Sequence, residues 1–152
     1  MHFDGSTTKV GVGVGVYVIS PIRDFKGLSY KITFECTNNV AEYEALLLGL
    51  HSLKDMGAKI IQVIGDSELV INQVNDNYQT RHLRMIDYIN EVWDMFGNYY
   101  TKHTIIVVPR YENTMANSFV VVDSKFKTPT ASQRKYKVDI VNRPSIPDSS
   151  KY

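Results

Sequence analysis

The spacing of apolar residues changes once along this chain, near Asn39, from a period of two to the period of a helix. That change restricts the fold to a strand meander followed by helical crossovers. Before it, Val10–Ile19 (VGVGVGVYVI) and Leu28–Cys36 (LSYKITFEC) alternate as strands do. Ser20–Gly27 joins them with Pro, Asp and Gly, the composition of a hairpin connection between antiparallel strands. His2–Gly5 precedes both as the end of a short strand running into a Gly-Ser turn. Glycines on one face of the Gly-Val strand predict close approach of a helix, a neighbouring backbone or a ligand. They do not spell a dinucleotide fingerprint, because the spacing differs and a strand follows instead of a helix.

Beyond Asn39, Leu46, Leu50 and Leu53 recur at helical spacing, and Gly57 is placed to end that helix. Ile60–Ile64 (IIQVI) suits a buried strand, and Ser67–Asn75 reads as a second helix. Leu83–Phe96 is a third, with Ile86, Ile89, Trp93 and Phe96 predicted on its core side. Thr104–Val108 is a fifth strand closed by Pro109, and Ala116–Phe126 a last helix. The order predicts an α/β domain over residues 1–126, with a mixed sheet and helices on both faces. After Lys127 the chain turns to Pro, Ser, Thr and Lys, and only Tyr136–Val141 alternates; residues 127–152 read as a basic tail or linker.

Charge limits the partners. Residues 1–123 hold 10 Lys/Arg against 14 Asp/Glu, a balance of −4, whereas residues 124–152 hold 7 against 2, a balance of +5. The body is not a general polyanion binder, since phosphate binding draws on a basic surface. If it meets nucleic acid, bound metal must offset its acids. The tail fits either a solvated end or a nucleic-acid contact. Cys36 is the single cysteine, which excludes an intrachain disulfide and fits a reducing compartment. The opening Met-His-Phe-Asp has no signal-peptide character, and no apolar run approaches the ~18 residues of a membrane helix. The expectation is a soluble, intracellular protein, with nucleus and cytoplasm undistinguished.

Three acidic residues occupy unusual places. Asp4 interrupts the first strand before Gly5-Ser6, where a turn aspartate is the ordinary explanation. Glu42 lies one turn before Leu46 on the apolar stripe, where Asn39-Val40-Ala41-Glu42 also fits a capping box. Asp66 follows the IIQVIG strand and precedes a helix, as a simple N-cap would. In a mixed sheet the first and fourth strands can be neighbours, and the first helix can cross the same end. The three carboxylates could then converge. Convergence makes sense mainly with cations between them, and oxygen-only ligands suit Mg²⁺ or Mn²⁺.

In their order, Phe3-Asp4-Gly5-Ser6, the Gly-Val strand, Thr37-Asn38-Asn39-Val40-Ala41-Glu42-Tyr43-Glu44-Ala45-Leu46 and Gly65-Asp66-Ser67 resemble type-1 ribonuclease H. The stretches TNNVAEYEALLLGL and GDSELVINQV are similar to the version in plant gypsy-type long-terminal-repeat retrotransposon polyproteins. The resemblance covers residues 2–126, and Tyr136-Lys137-Val138 with Arg143–Asp148 is similar to the connector that follows that domain. It implies a five-stranded mixed sheet of order 3-2-1-4-5, its first strand truncated at Met1, and adjoining reverse transcriptase and integrase segments as partners. It also implies Mg²⁺-dependent (or Mn²⁺-dependent) cleavage of the RNA strand of RNA–DNA hybrids.

By position, Asp4, Glu42 and Asp66 match three of four metal-binding carboxylates, and Gly5, Ser6, Asn38, Asn39 and Ser67 match substrate contacts. The block Val107-Val108-Pro109-Arg110-Tyr111-Glu112-Asn113-Thr114-Met115-Ala116-Asn117 resembles the family's His-x-Pro-Arg-x-x-Asn-x-x-Ala-Asp. Asn117 stands where the fourth aspartate belongs and Val107 where a histidine often lies. Asparagine keeps a neutral oxygen without the charge, and valine carries no proton. The resemblance therefore implies either impaired cleavage or an inactive module that binds nucleic acid or is structural. A basic insertion between residues 76 and 100 is absent. Reading Asp4-Gly5-Ser6 as an actin-like phosphate loop requires two lobes, for which 152 residues are too few.

Overall fold

The structure, a computed structural model, describes residues 1–8, 11–19, 25–75, 80, 82–113, 138–141 and 143–146. Its elements are β1 (His2–Thr8), β2 (Gly11–Ile19), β3 (Phe25–Ile32), α1 (Asn38–Asp55), β4 (Ile60–Gly65), α2 (Glu68–Val74), α3 (Leu83–Tyr99), β5 (Lys102–Val107) and β6 (Val138–Val141). The sheet order is β5-β4-β1-β2-β3-β6. β1, β2 and β3 form the antiparallel meander expected from the period of two. β1–β4 and β4–β5 are parallel, as helical crossovers require. The expected order 3-2-1-4-5 is therefore present, extended at the β3 edge by β6.

Several boundaries differ from expectation, each for a physical reason. β1 does not turn at Gly5-Ser6; it runs on to Thr8, because β2 pairs with it residue by residue from His2↔Tyr17 to Thr8↔Gly11. β3 starts at Phe25 and stops at Ile32, so Phe34 and Cys36 pack partly buried against the core from the loop before α1. Val138–Val141, expected in a tail, pairs in parallel with Ser29–Ile32 of β3. The helix expected over 116–126 lies outside the described residues.

Burial on nearly every side explains why α1 carries so few exposed positions: Val40–Leu47, Gly49, Leu50 and Leu53 are all buried. Its N-cap is Thr37, whose hydroxyl accepts from Val40 N–H at 3.3 Å, and Gly57 beyond its end adopts φ +80°. On α3 the buried stripe is Met85, Tyr88, Ile89, Val92, Met95 and Phe96. Trp93, expected in the core, is 43% exposed. Its indole N–H donates to Val74 O at 2.8 Å, which holds the ring against the end of α2. Tyr43 of α1 stacks on Tyr88 of α3 at 5.4 Å and donates to Gln73 Oε1 of α2 at 2.6 Å, tying the three helices together. Among the described residues no helix is long and apolar enough to cross a membrane.

A close approach of a helix to a strand glycine occurs one strand before the Gly-Val strand, at Gly5. A β-carbon on Gly5 would lie 2.4 Å from the backbone carbonyl of Ala41 and 2.8 Å from Glu42 N, inside any tolerable contact. A β-carbon on Gly15 would meet nothing within 4 Å. Gly5→Ala should therefore push α1 off the sheet and cost about 1–3 kcal/mol, the usual range for overpacking. Gly15→Ala should be neutral or slightly stabilising. Thermal melts of both variants check the pair: equal melting temperatures would show that α1 does not rest on Gly5.

Candidate metal centre

The backbone contacts just described place three carboxylates together. β1 pairs with β4 through His2↔Ile64 and Phe3↔Gly65, so Asp4 and Asp66 follow one another at the same end of adjacent parallel strands. Ala41 resting on Gly5 brings Glu42, one residue on, over the same end. One oxygen from each of Asp4, Glu42 and Asp66 lies within 4.8 Å of the others.

The ordinary explanations of these residues do not survive the geometry. Asp4 is inside a strand opposite Gly15. Glu42 belongs to no capping box on Asn39, since Thr37 is the cap. The cap of α2 is Ser67, whose hydroxyl accepts from Val70 N–H at 3.4 Å, and Asp66 stands one residue before it.

The electrostatics of the cluster are those of acids lacking a counter-charge. Burial, then a hydrogen bond with Asp4, then the Asp4 charge, push the Glu42 carboxyl up to about 9; the Gly5 backbone N–H pulls the other way. Burial and the Asp4 charge raise Asp66 as well, opposed by a hydrogen bond from Asn113 and the nearby Arg110 charge. Glu42 Oε2 and Asp66 Oδ2 are buried and have no hydrogen-bond partner. Two orphaned carboxylate oxygens in an all-oxygen donor set fit a hard divalent cation such as Mg²⁺ or Mn²⁺, which would supply the partner each lacks.

Asn113 is a site residue that the sequence reading left without a role. It is fully buried in the helical turn after Pro109. Its amide donates to Phe3 O at 3.0 Å, its carbonyl oxygen lies 2.9 Å from His2 Nδ1, and it hydrogen-bonds the Asp66 carboxylate. One side chain thus ties the chain after β5 to β1 and orients Asp66. Its position in the Pro-Arg-x-x-Asn block was the available signal.

The remaining expected residues divide. Asn38 and Asn39 open α1, about one turn before Glu42, with Asn38 exposed and Asn39 half-buried. Gly5 serves as the seat of α1. Ser6 lies in β1 opposite Gly13, and Ser67 is engaged as a helix cap. Val107 ends β5 and is exposed, while Asn117 lies outside the described residues.

A pH dependence follows. The proton on Glu42 stabilises the fold in full below the ordinary carboxylate range, and that contribution is lost as pH rises through about 9. The informative quantity is therefore the melting temperature of Glu42→Gln minus that of the parent. Without metal it should widen steadily as pH rises, and added Mg²⁺ or Mn²⁺ should raise the parent's melting temperature more at high pH than at low. A difference that stays flat with pH would contradict a raised Glu42 carboxyl.

Comparison with known proteins agrees with this architecture. The profile of the family described as reverse transcriptase-like matches residues 2–121. The chain is 26% identical over 113 residues to a bifunctional protein of Mycobacterium tuberculosis; the match covers 73% of this chain and 31% of that protein. It thus spans about a third of the length of the curated relatives it matches. Among solved structures, ribonuclease H1 from Halobacterium salinarum superposes with a TM-score of 0.70 at 25% identity, over 81% of this chain and 96% of that one. LC11 ribonuclease H1, solved in complex with an RNA/DNA hybrid, gives 0.67 at 24% identity over 83% and 97%. The chain belongs to the reverse transcriptase-like family, and its body is a ribonuclease H-like domain.

Proposed function

We propose that the domain cleaves the RNA strand of RNA–DNA hybrids with divalent cations held by Asp4, Glu42 and Asp66. The observation that carries this reading is the cluster itself: three carboxylates within 4.8 Å, two of them with buried, unpartnered oxygens. Mg²⁺ or Mn²⁺ bound there would supply water activation and stabilisation of the leaving oxygen in phosphodiester hydrolysis. Asn113 holds the Asp66 carboxylate in place, and the Gly5 N–H does the same for Glu42. Asn38 and Asn39, on the first turn of α1, are suited to bond sugar hydroxyls of the RNA strand, the groups that distinguish RNA from DNA. Ser6 and Ser67 would complete the substrate contacts, whereas Gly5, buried beneath α1, acts only as its seat.

The similarity to an enzyme solved with bound hybrid supports the choice of substrate. A polyprotein of the retrotransposon kind, with reverse transcriptase and integrase segments on either side, is the setting we infer.

A second reading has its own support. Asn117 replaces a charged ligand and Val107 a proton carrier, so the domain would bind hybrid, or serve as a structural module, without cutting it. Cleavage of a labelled hybrid separates the two. Asp66→Asn should abolish cleavage while leaving the melting temperature within a few degrees of the parent; undiminished cleavage would remove Asp66 from the site.

Asn117→Asp should restore the missing charge, lowering the Mg²⁺ midpoint of the initial rate by roughly tenfold, since opposite charges a few ångströms apart interact by about 1–4 kcal/mol. Val107→His alone should do less, because proton transfer matters only once the metals are held. Identical Mg²⁺ titrations for the parent and Asn117→Asp would favour the inactive module.

A further inference from the structure

Among the described residues, the buried charged side chains are Glu42 and Glu44, and the metal centre uses only the first. Glu44 has no exposed surface. It is two residues beyond Glu42 on α1, about 200° around the helix, so it faces away from the cluster. A carboxylate in such a place needs donors, and α1 does not provide them. Oε1 accepts from the Tyr88 hydroxyl at 2.5 Å and from Ser145 N–H at 2.8 Å. Oε2 accepts from the Ser145 hydroxyl at 2.6 Å.

Ser145 comes from the far side of the sequence, 101 residues away, and is delivered by β6. β6 pairs in parallel with β3 from Ser29↔Val138 to Ile32↔Val141, and Thr33 N–H then donates to Val141 O at 3.0 Å. Val141 and Ile146 pack against the core on either side of the serine. β6, Ser145 and Ile146 lie past residue 121, where the match to the family ends.

We propose that the edge of β3 and the Glu44 carboxylate together form a peptide-recognition site, and that residues 138–141 and 143–146 of this chain occupy it as a tethered ligand. The ligand it selects is an extended strand followed, four residues after its end, by a serine. Backbone pairing with β3 supplies affinity that is indifferent to side chains, as in other strand additions. Selectivity comes from Glu44, because a serine offers one donor to each carboxylate oxygen whereas an alanine offers only its N–H. Pro144 fixes the backbone just before Ser145, which reduces the entropy lost on docking. The tether raises the local concentration of the segment to the millimolar range, roughly, so a free peptide does not displace it.

The test uses a fluorescent peptide of residues 136–148. It is titrated into the 152-residue chain and into a variant of it whose residues 138–146 are replaced by alternating Gly and Ala. The peptide should bind the variant, a Ser145→Ala peptide should bind it roughly tenfold more weakly, as loss of a hydrogen bond to a charged group implies, and the parent should show no binding at the same concentrations. Equal binding of the two peptides, equal binding to the parent, or no binding to a variant that still melts cooperatively would each overturn the proposal. If the replaced variant does not fold, the decision rests on Glu44→Gln, Ser145→Ala and their combination in the full chain. Each single change should lower the melting temperature by a few degrees, with the double no worse than the poorer single. Additive losses, or no loss from Ser145→Ala, would overturn it.

Discussion

The contact between Gly5 and the backbone of Ala41 is the constraint on which the rest of the structure depends. A strand and a helix ordinarily stand apart by the length of their side chains. Here one side contributes only a hydrogen, so the first turns of α1 lie directly on β1. That closeness brings an acid from the second residue of the contact, Glu42, to an acid one residue before Gly5 on the strand. Asp66 arrives by a different route, the parallel pairing of β1 with β4, which aligns the ends of both strands. Neither route involves attraction between the acids; packing assembles a group of charges that repel.

Two carboxylates on one buried helix resolve the cost of desolvation in different ways. Glu42 is hydrogen-bonded to Asp4, and one of its oxygens is left unsatisfied, an arrangement open to exchange with a cation. Glu44 has both oxygens satisfied by hydroxyl and amide donors from α3 and from the segment after β6. The first is built to change its partner and the second to keep it. Between them runs Tyr43, fully buried and joined to α2 and α3, so the helix that carries both acids is held against movement from either side.

Much of this was legible in the residues. The change of period at Asn39 set the order of strands and helices, because burial on one face imposes the period of the backbone. The three blocks around Asp4, Glu42 and Asp66 pointed to convergence once the first and fourth strands were placed side by side. What escaped were features decided by partners far along the chain. Asp4-Gly5-Ser6 resembles a turn locally, but pairing with β2 keeps it extended to Thr8. Asn39 resembled a cap, yet Thr37 reaches Val40 N–H first. Trp93 had core spacing, but it is largely exposed, with its N–H bonded to Val74 O at the end of α2. Asn113 was visible only as one letter of a motif, and nothing near Glu44 foretold Ser145.

β6 has a consequence for the behaviour of the chain in a crowded solution. The outer edge of a sheet presents unpaired amides and carbonyls that can template the strand of any neighbouring molecule. β3 is eight residues long and begins with a Phe-Lys-Gly-Leu run, a ready template if bare. β6 covers its last four residues and, being only four residues long itself, leaves a shorter and less adhesive border in their place. A chain cut ahead of residue 138 would keep its meander and its acids but expose that border, and its first fault would be self-association.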